Sequence, residues 1–263
     1  MFISVVNLTE GKLSDEVVQA TIRAVNRQIA EDFRPNWSLG ATLRLEGASS
    51  NDPTPEDPSD MRGEAVLYLF DRVNIQDALG YHDRNHRGVP FGFVFTELSQ
   101  QLGENWTVTF SHEALELIAD PEVNLLVMGP HPDDQNKYVF YWYEMCDAVQ
   151  GQTYSIDGVE VSNFVLPLYF TGDEEVSGRN DFLCREPLTS FGVSHGGYVG
   201  FFNPETGQME AIFGSTAAEA RAAKVMQLGV GRRFQYKHYG INKEGRPLGP
   251  TKRVREGLRR EHQ

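Results

Sequence analysis

Residues 110–121 read Phe-Ser-His-Glu-Ala-Leu-Glu-Leu-Ile-Ala-Asp-Pro, and no other stretch limits the possible folds as tightly. At roughly 100° of turn per residue, a helix here gathers His112, Glu113, Glu116 and Asp120 on one side. Phe110, Ala114, Leu117 and Ile118 go to the opposite side, which must be buried. The spacing predicts a helix from near Thr109 to Asp120–Pro121. Its order, H-E-x-x-E, differs only in the last residue from the H-E-x-x-H of zinc peptidases. His112 and Glu116, at i and i+4, can reach one metal ion, and Glu113 beside them can take a proton from water. The plain alternative is a solvated polar face, where Glu is ordinary. A chance H-E-x-x-E in a chain this rich in Glu has odds of about one in twenty.

A second acidic element strengthens the metal reading. In "YWYEMCDAV", residues 141–149, Glu144 and Asp147 interrupt a strongly apolar run. Buried carboxylates are expensive unless paired or metal-bound. The alternative is that both point to solvent from a strand edge or a short turn. Glu144 follows Glu116 by 28 residues, and thermolysin-like peptidases also take a third ligand, a glutamate, from downstream.

The two blocks together resemble a set of zincin-like proteins that includes the phosphate-induced proteins of plants and various bacterial proteins. The pattern of that set is S-H-E-x-x-E-x-x-x-[DN]-P, then E-[IM]-x-D roughly 20–40 residues later. Ser111, His112, Glu113, Glu116, Asp120, Pro121, Glu144 and Asp147 match it, and Cys146 falls inside the second block instead of after its Asp. The resemblance covers residues 105–150 and nothing specific in the last 90. It implies a zincin-like fold and a metal site with His112, Glu116 and Glu144 as ligands, Asp147 being the alternative to Glu144. It also implies Glu113 as general base. Asp147 and Asp120 then stand behind the ligands, orienting His112 or bracing the helix end.

A His, Glu, Glu set leaves a divalent ion with no net charge, against +1 for His, His, Glu. Such an ion acidifies water less. Imidazole favours Zn2+, while two carboxylates shift preference toward Mn2+, Mg2+ or Ca2+.

The rest of the chain frames that site. "MFISVVNL" alternates as a strand. Val18, Ile22, Val25, Ile29 and Phe33 recur at helical spacing after a Ser14 N-cap, with Pro35 closing the element. "SLGATLRLEG", "EAVLYLFD" and "VPFGFVF" read as further strands, "GYHDRNHRG" as a polar loop, and residues 48–63 as an acidic loop. "TYSIDGVEVSNF" and "GGYVGFFNPETGQMEAIFG" read as hairpins, the first turning at Asp157–Gly158. A short helix is expected within residues 215–231. The expected fold is α+β: a zincin-like mixed sheet packed on helices, with a C-terminal half rich in hairpins. Residues 1–150 form the metal-site domain, 151–236 extend it, and 237–263 form a basic, flexible tail.

That tail has eight Lys or Arg against three Glu, while the whole chain carries −13. An acidic partner for the tail is therefore expected, and nucleic acid is not expected on the acidic body. No apolar run approaches the roughly 20 residues that span a membrane, and the N-terminal stretch lacks a basic, then apolar, signal pattern. With only two cysteines, a cytoplasmic location is expected.

Other candidates are weaker. His82, Asp83 and His86 fall in the polar loop and read as solvated, His131 reads as exposed, and His195 lacks a nucleophile elbow. Cys146 reads as a small packed residue, and "GVGRR" is too short for a phosphate loop. The sequence therefore points to a zincin-like metalloprotein, a metalloprotease or amide hydrolase acting on a peptide or protein. The alternative is a non-catalytic zincin-fold protein for binding or assembly, attached through its basic tail.

Overall fold

The computed structural model describes residues 1–46, 63–71, 80–84, 88–172 and 179–217. Strand β1 (Phe2–Leu8) leads through helix α1 (Asp15–Arg27) back to β2 (Thr42–Glu46), which lies parallel to β1. Ser14 caps α1 by accepting from the Val17 amide at 3.4 Å. Val18, Ile22, Val25 and Ile29 are buried, as their spacing predicts.

Pro35 does not close this element. The helix widens over Gln28–Phe33, where the Arg34 amide reaches back to the Ile29 carbonyl, and continues as a short α2 (Arg34–Trp37). Pro35 stands in the first turn of α2, where a missing N–H is not needed. Ser38 then ends the element in the left-handed region at φ 56°. Trp37 is thereby buried, and its indole donates to the Val165 carbonyl at 2.9 Å.

Strand β3 (Ala65–Phe70) pairs parallel with β1 and with β5 (Pro90–Phe95), while β4 (Gly80–Arg84) runs antiparallel on the outer side of β5. The sheet order is β2-β1-β3-β5-β4. Side chains alternate across it. Ile3, Val5, Leu67, Leu69 and Val94 enter the main core, while Val6, Val66, Tyr68, Phe93 and Phe95 join a second cluster on the other face. Helix α3 (Thr96–Leu102) covers that second face through Leu98 and Leu102. Helix α4 (Trp106–Ala119) packs on the main core.

The segment read as a polar loop therefore contains a strand. The outer edge of β5 offers backbone partners to any extended segment, and an edge strand tolerates polar residues that a central one would not.

The remaining strands are antiparallel. β6 (Leu126–His131) pairs with β7 (Asp134–Trp142). β8 (Thr153–Ile156) and β9 (Val159–Ser162) form a hairpin turning at Asp157 (φ 52°) and Gly158 (φ 82°), the two positive φ values a tight primed turn requires. β10 (Tyr198–Asn203) and β11 (Gln208–Phe213) complete a sheet of order β11-β10-β7-β6. One hydrophobic cluster includes both Ile3 and Leu115 from the first half and Phe164, Tyr169 and Phe191 from the second. The architecture is α+β. The acidic segment expected as a loop (all but Gly63), most of the helix expected at 215–231 and the basic tail at 237–263 lie outside the described residues. Among the described residues no helix is long and apolar enough to cross a membrane.

Candidate metal centre

Helix α4 starts three residues earlier than its spacing predicts, because Asn105 caps it by accepting from the Thr107 amide at 3.2 Å. Its rotation about its own axis is fixed by the neighbouring hairpin. Thr107 Oγ1 donates to the Glu160 carbonyl at 2.7 Å, and Ser111 Oγ accepts from the Ser162 amide at 2.6 Å.

The polar side of α4 is not a solvated face. Glu113 is 5% exposed and Glu116 2%, so these carboxylates must find compensation inside the protein. Two walls face them. One is the turn after β7, carrying Glu144, Cys146 and Asp147, and the other is β4, carrying His82.

At the first wall, His112 Nε2 lies 3.2 Å from Glu116 Oε2 and 3.3 Å from Asp147 Oδ1. Both carboxylates approach the same ring nitrogen. Asp147 therefore stands beside Glu116 on the same side of His112. The second oxygen of Glu116, Oε1, accepts from the Cys146 amide at 3.1 Å, which fastens the helix to the acidic turn. Tyr198 adds a hydroxyl from β10, hydrogen-bonded to Asp147.

Glu144 faces elsewhere. Its Oε2 lies 3.8 Å from His82 Nε2. His82 Nδ1 is 3.3 Å from Glu113 Oε2 and 3.8 Å from Glu116 Oε2. His82 is 1% exposed, which corrects its reading as a solvated loop residue. On β4 it points inward against α4. The approach is close enough that a Cβ on Gly80 would lie 2.7 Å from Glu113 Cγ. Arg84, two residues on, ion-pairs with Glu122 just past the helix.

Asp120 braces the end of α4. Its Oδ2 accepts from the Leu125 amide at 2.9 Å, closing the turn that follows the helix. His131 is half-buried with its ring centre 5.9 Å from that of Phe201, His195 is exposed, and His86 lies outside the described residues.

Electrostatics follow from burial. Glu116 is pushed up to about 7, by desolvation first and by Glu144 and Asp147 as well, with His112 opposing. Burial works against a charged His112, but Glu116 and Asp147 outweigh it and hold the imidazole well above its usual value. Burial and the nearby carboxylates push the Cys146 thiol and the Tyr198 phenol well up, so both stay protonated.

Among the described residues, the ligand-capable atoms form two compact sets, each with all members within 4.8 Å of one another: His112, Glu116 and Cys146, and His82, Glu113 and Glu116. Asp147 lies outside both sets, in contact with His112 at 3.3 Å. Glu144 and Asp147 also line a small cleft walled by Tyr141, Trp142, Tyr169 and Phe170.

Of the residues singled out from the sequence, His112, Glu113, Glu116, Glu144 and Asp147 converge here, while Asp120 closes the helix. His82 and Tyr198 were missed. The sequence carries no signal for His82, because its burial depends on Glu113, 31 residues further on. Tyr198 gave none beyond its place in a predicted hairpin. No family model matches this chain, no curated protein matches it, and no solved structure matches it.

Proposed function

We propose that this chain is a zincin-like metalloprotein that hydrolyses peptide or related amide bonds, with a divalent ion held by His112, Glu116 and Asp147. The observation that carries this reading is the approach of two carboxylates, at 3.2 and 3.3 Å, to one nitrogen of His112. A tetrahedral ion with bonds of about 2.0–2.1 Å holds its ligands roughly 3.3 Å apart. The strand order β2-β1-β3-β5-β4, with the ligand helix against the β4 end, suits the zincin-like reading of the fold. Zn2+ suits the imidazole, and Mn2+ is the stronger alternative for a site with two carboxylates.

A divalent ion held there supplies a Lewis acid that polarises a carbonyl and acidifies water. The chain's own groups do the rest. Glu113, next to His112, takes the proton from the attacking water and passes it to the leaving nitrogen. The Tyr198 hydroxyl donates to Asp147 and holds that carboxylate beside His112.

One observation favours a second reading, a non-catalytic metal-binding or assembly protein. Two carboxylates and one imidazole leave a divalent ion without net charge, which weakens its hold on a hydroxide. Metal analysis of purified protein, wild type against His112→Ala, tests the site. Cleavage of a peptide library by the zinc-loaded chain separates the enzyme from the scaffold. Metal retained in full by His112→Ala would reject the site, and its loss supports it.

A further inference from the structure

We propose a second cation position beside the first, held by His82, Glu113 and Glu116, with Glu116 shared between the two. This rests on the reading of His112, Glu116 and Asp147 as a metal centre.

Three observations carry it. The compact donor sets around His112 and around His82 have only Glu116 in common, and neither contains both imidazoles. Within the described geometry, then, the two histidines serve two positions. Glu116 Oε2 faces both, 3.2 Å from His112 Nε2 and 3.8 Å from His82 Nδ1.

The orientation of His82 is the second observation. Nδ1 faces Glu113 at 3.3 Å and Glu116 at 3.8 Å, separations that ligands of one ion adopt. Nε2 is turned toward Glu144. A ligating imidazole characteristically directs its second nitrogen at a carboxylate. Glu144, the other half of the acidic turn, thereby acts behind His82.

The third observation is charge. Glu113, Glu116, Glu144 and Asp147 are four carboxylates, each 2–8% exposed. One divalent ion balances two of them. A second divalent ion balances the set.

The consequence concerns Glu113. A carboxylate engaged by an ion through its lone pairs is not available to accept a proton. Filling the second position removes the base that the first position needs, so the second ion acts as an inhibitor. Any hydrolysis should rise with the first equivalent of metal and fall with the second.

The test is calorimetric titration of the full metal-free chain with Zn2+, repeated with Mn2+ under electron paramagnetic resonance. The inference expects about two Zn2+ per chain, the second weaker, and magnetic coupling between paired Mn2+ ions through the shared Glu116. His82→Ala and the milder His82→Gln should each retain one ion and lose the coupling, with thermal melts of the metal-free variants verifying that they fold. One ion in the wild type overturns this inference and leaves the proposed function standing. No ion in the wild type overturns both. Two ions in both folded His82 variants overturn the assignment to His82.

Discussion

Glu144 and Asp147 stand one short turn apart and serve different imidazoles. Asp147 Oδ1 lies 3.3 Å from His112 Nε2, and Glu144 Oε2 lies 3.8 Å from His82 Nε2. The turn divides its two charges between the two sides of helix α4.

That division separates the two by mutation. Asp147→Asn is expected to weaken Zn2+ binding at the first position by a hundredfold or more. Glu144→Gln, acting behind His82, is expected to weaken it there by about tenfold or less. Competition with a chromophoric chelator measures both. A larger loss from Glu144→Gln than from Asp147→Asn would mean that Glu144 is the ligand.

Glu113→Gln tests the base. The amide is nearly isosteric and cannot accept a proton. The variant should keep the first ion while any peptide cleavage falls by about 10²–10⁴-fold. Unchanged turnover per bound metal would remove Glu113 from the chemistry.

The pH dependence has a definite sign. Glu116 is raised from 4.5 to about 7 by burial, and His112 is raised well above 6.5 against the pull of burial by its two carboxylates. Both groups hold protons more tightly folded than unfolded. Their stabilisation is complete below the unfolded values and is lost as pH rises through the folded ones. For Glu116 that window runs from about pH 4.5 to pH 7, and for His112 it starts near pH 6.5 and extends upward. A metal ion competes for the same sites, so the rise in Tm on adding Zn2+ should grow between about pH 5.5 and 8. Scanning calorimetry with and without metal checks this, and a gain that shrinks with pH would contradict it.

Gly80→Ala should disturb both stability and the site. Its Cβ would meet Glu113 Cγ and Thr109 Cγ2 at 2.7 Å. Forcing β4 off the helix should destabilise the chain by about 1–3 kcal/mol and carry His82 away from Glu113. Urea melts measure the first effect and metal stoichiometry the second. A variant as stable as the wild type would mean that β4 sits further from α4 than described.

What could be read from the sequence was local. The apolar stripe of Val18, Ile22, Val25 and Ile29 specifies a buried helix face by spacing alone, and Asp157–Gly158 specifies a tight turn by its demand for positive φ. Helix α4 was legible for the same reason. Strand β4 was not, because "GYHDR" carries no apolar alternation that marks a strand. His82 is buried because Glu113 waits for it 31 residues later. Nor could the sequence divide Glu144 from Asp147. That depends on how the Cys146 amide docks on Glu116 Oε1, a contact between segments that spacing does not describe.

Thr107 and Ser111 lie one turn apart on α4, and each is hydrogen-bonded to strand β9. Together they set the azimuth of the helix. For a side chain reaching roughly 8 Å from the helix axis, a spin of 20° moves its tip by about 3 Å, more than a coordination bond. The hairpin that bears none of the ligands is thus the calibration of the site. Loosening its Asp157–Gly158 turn should first blur which metal is preferred, while the sheet and the core remain intact.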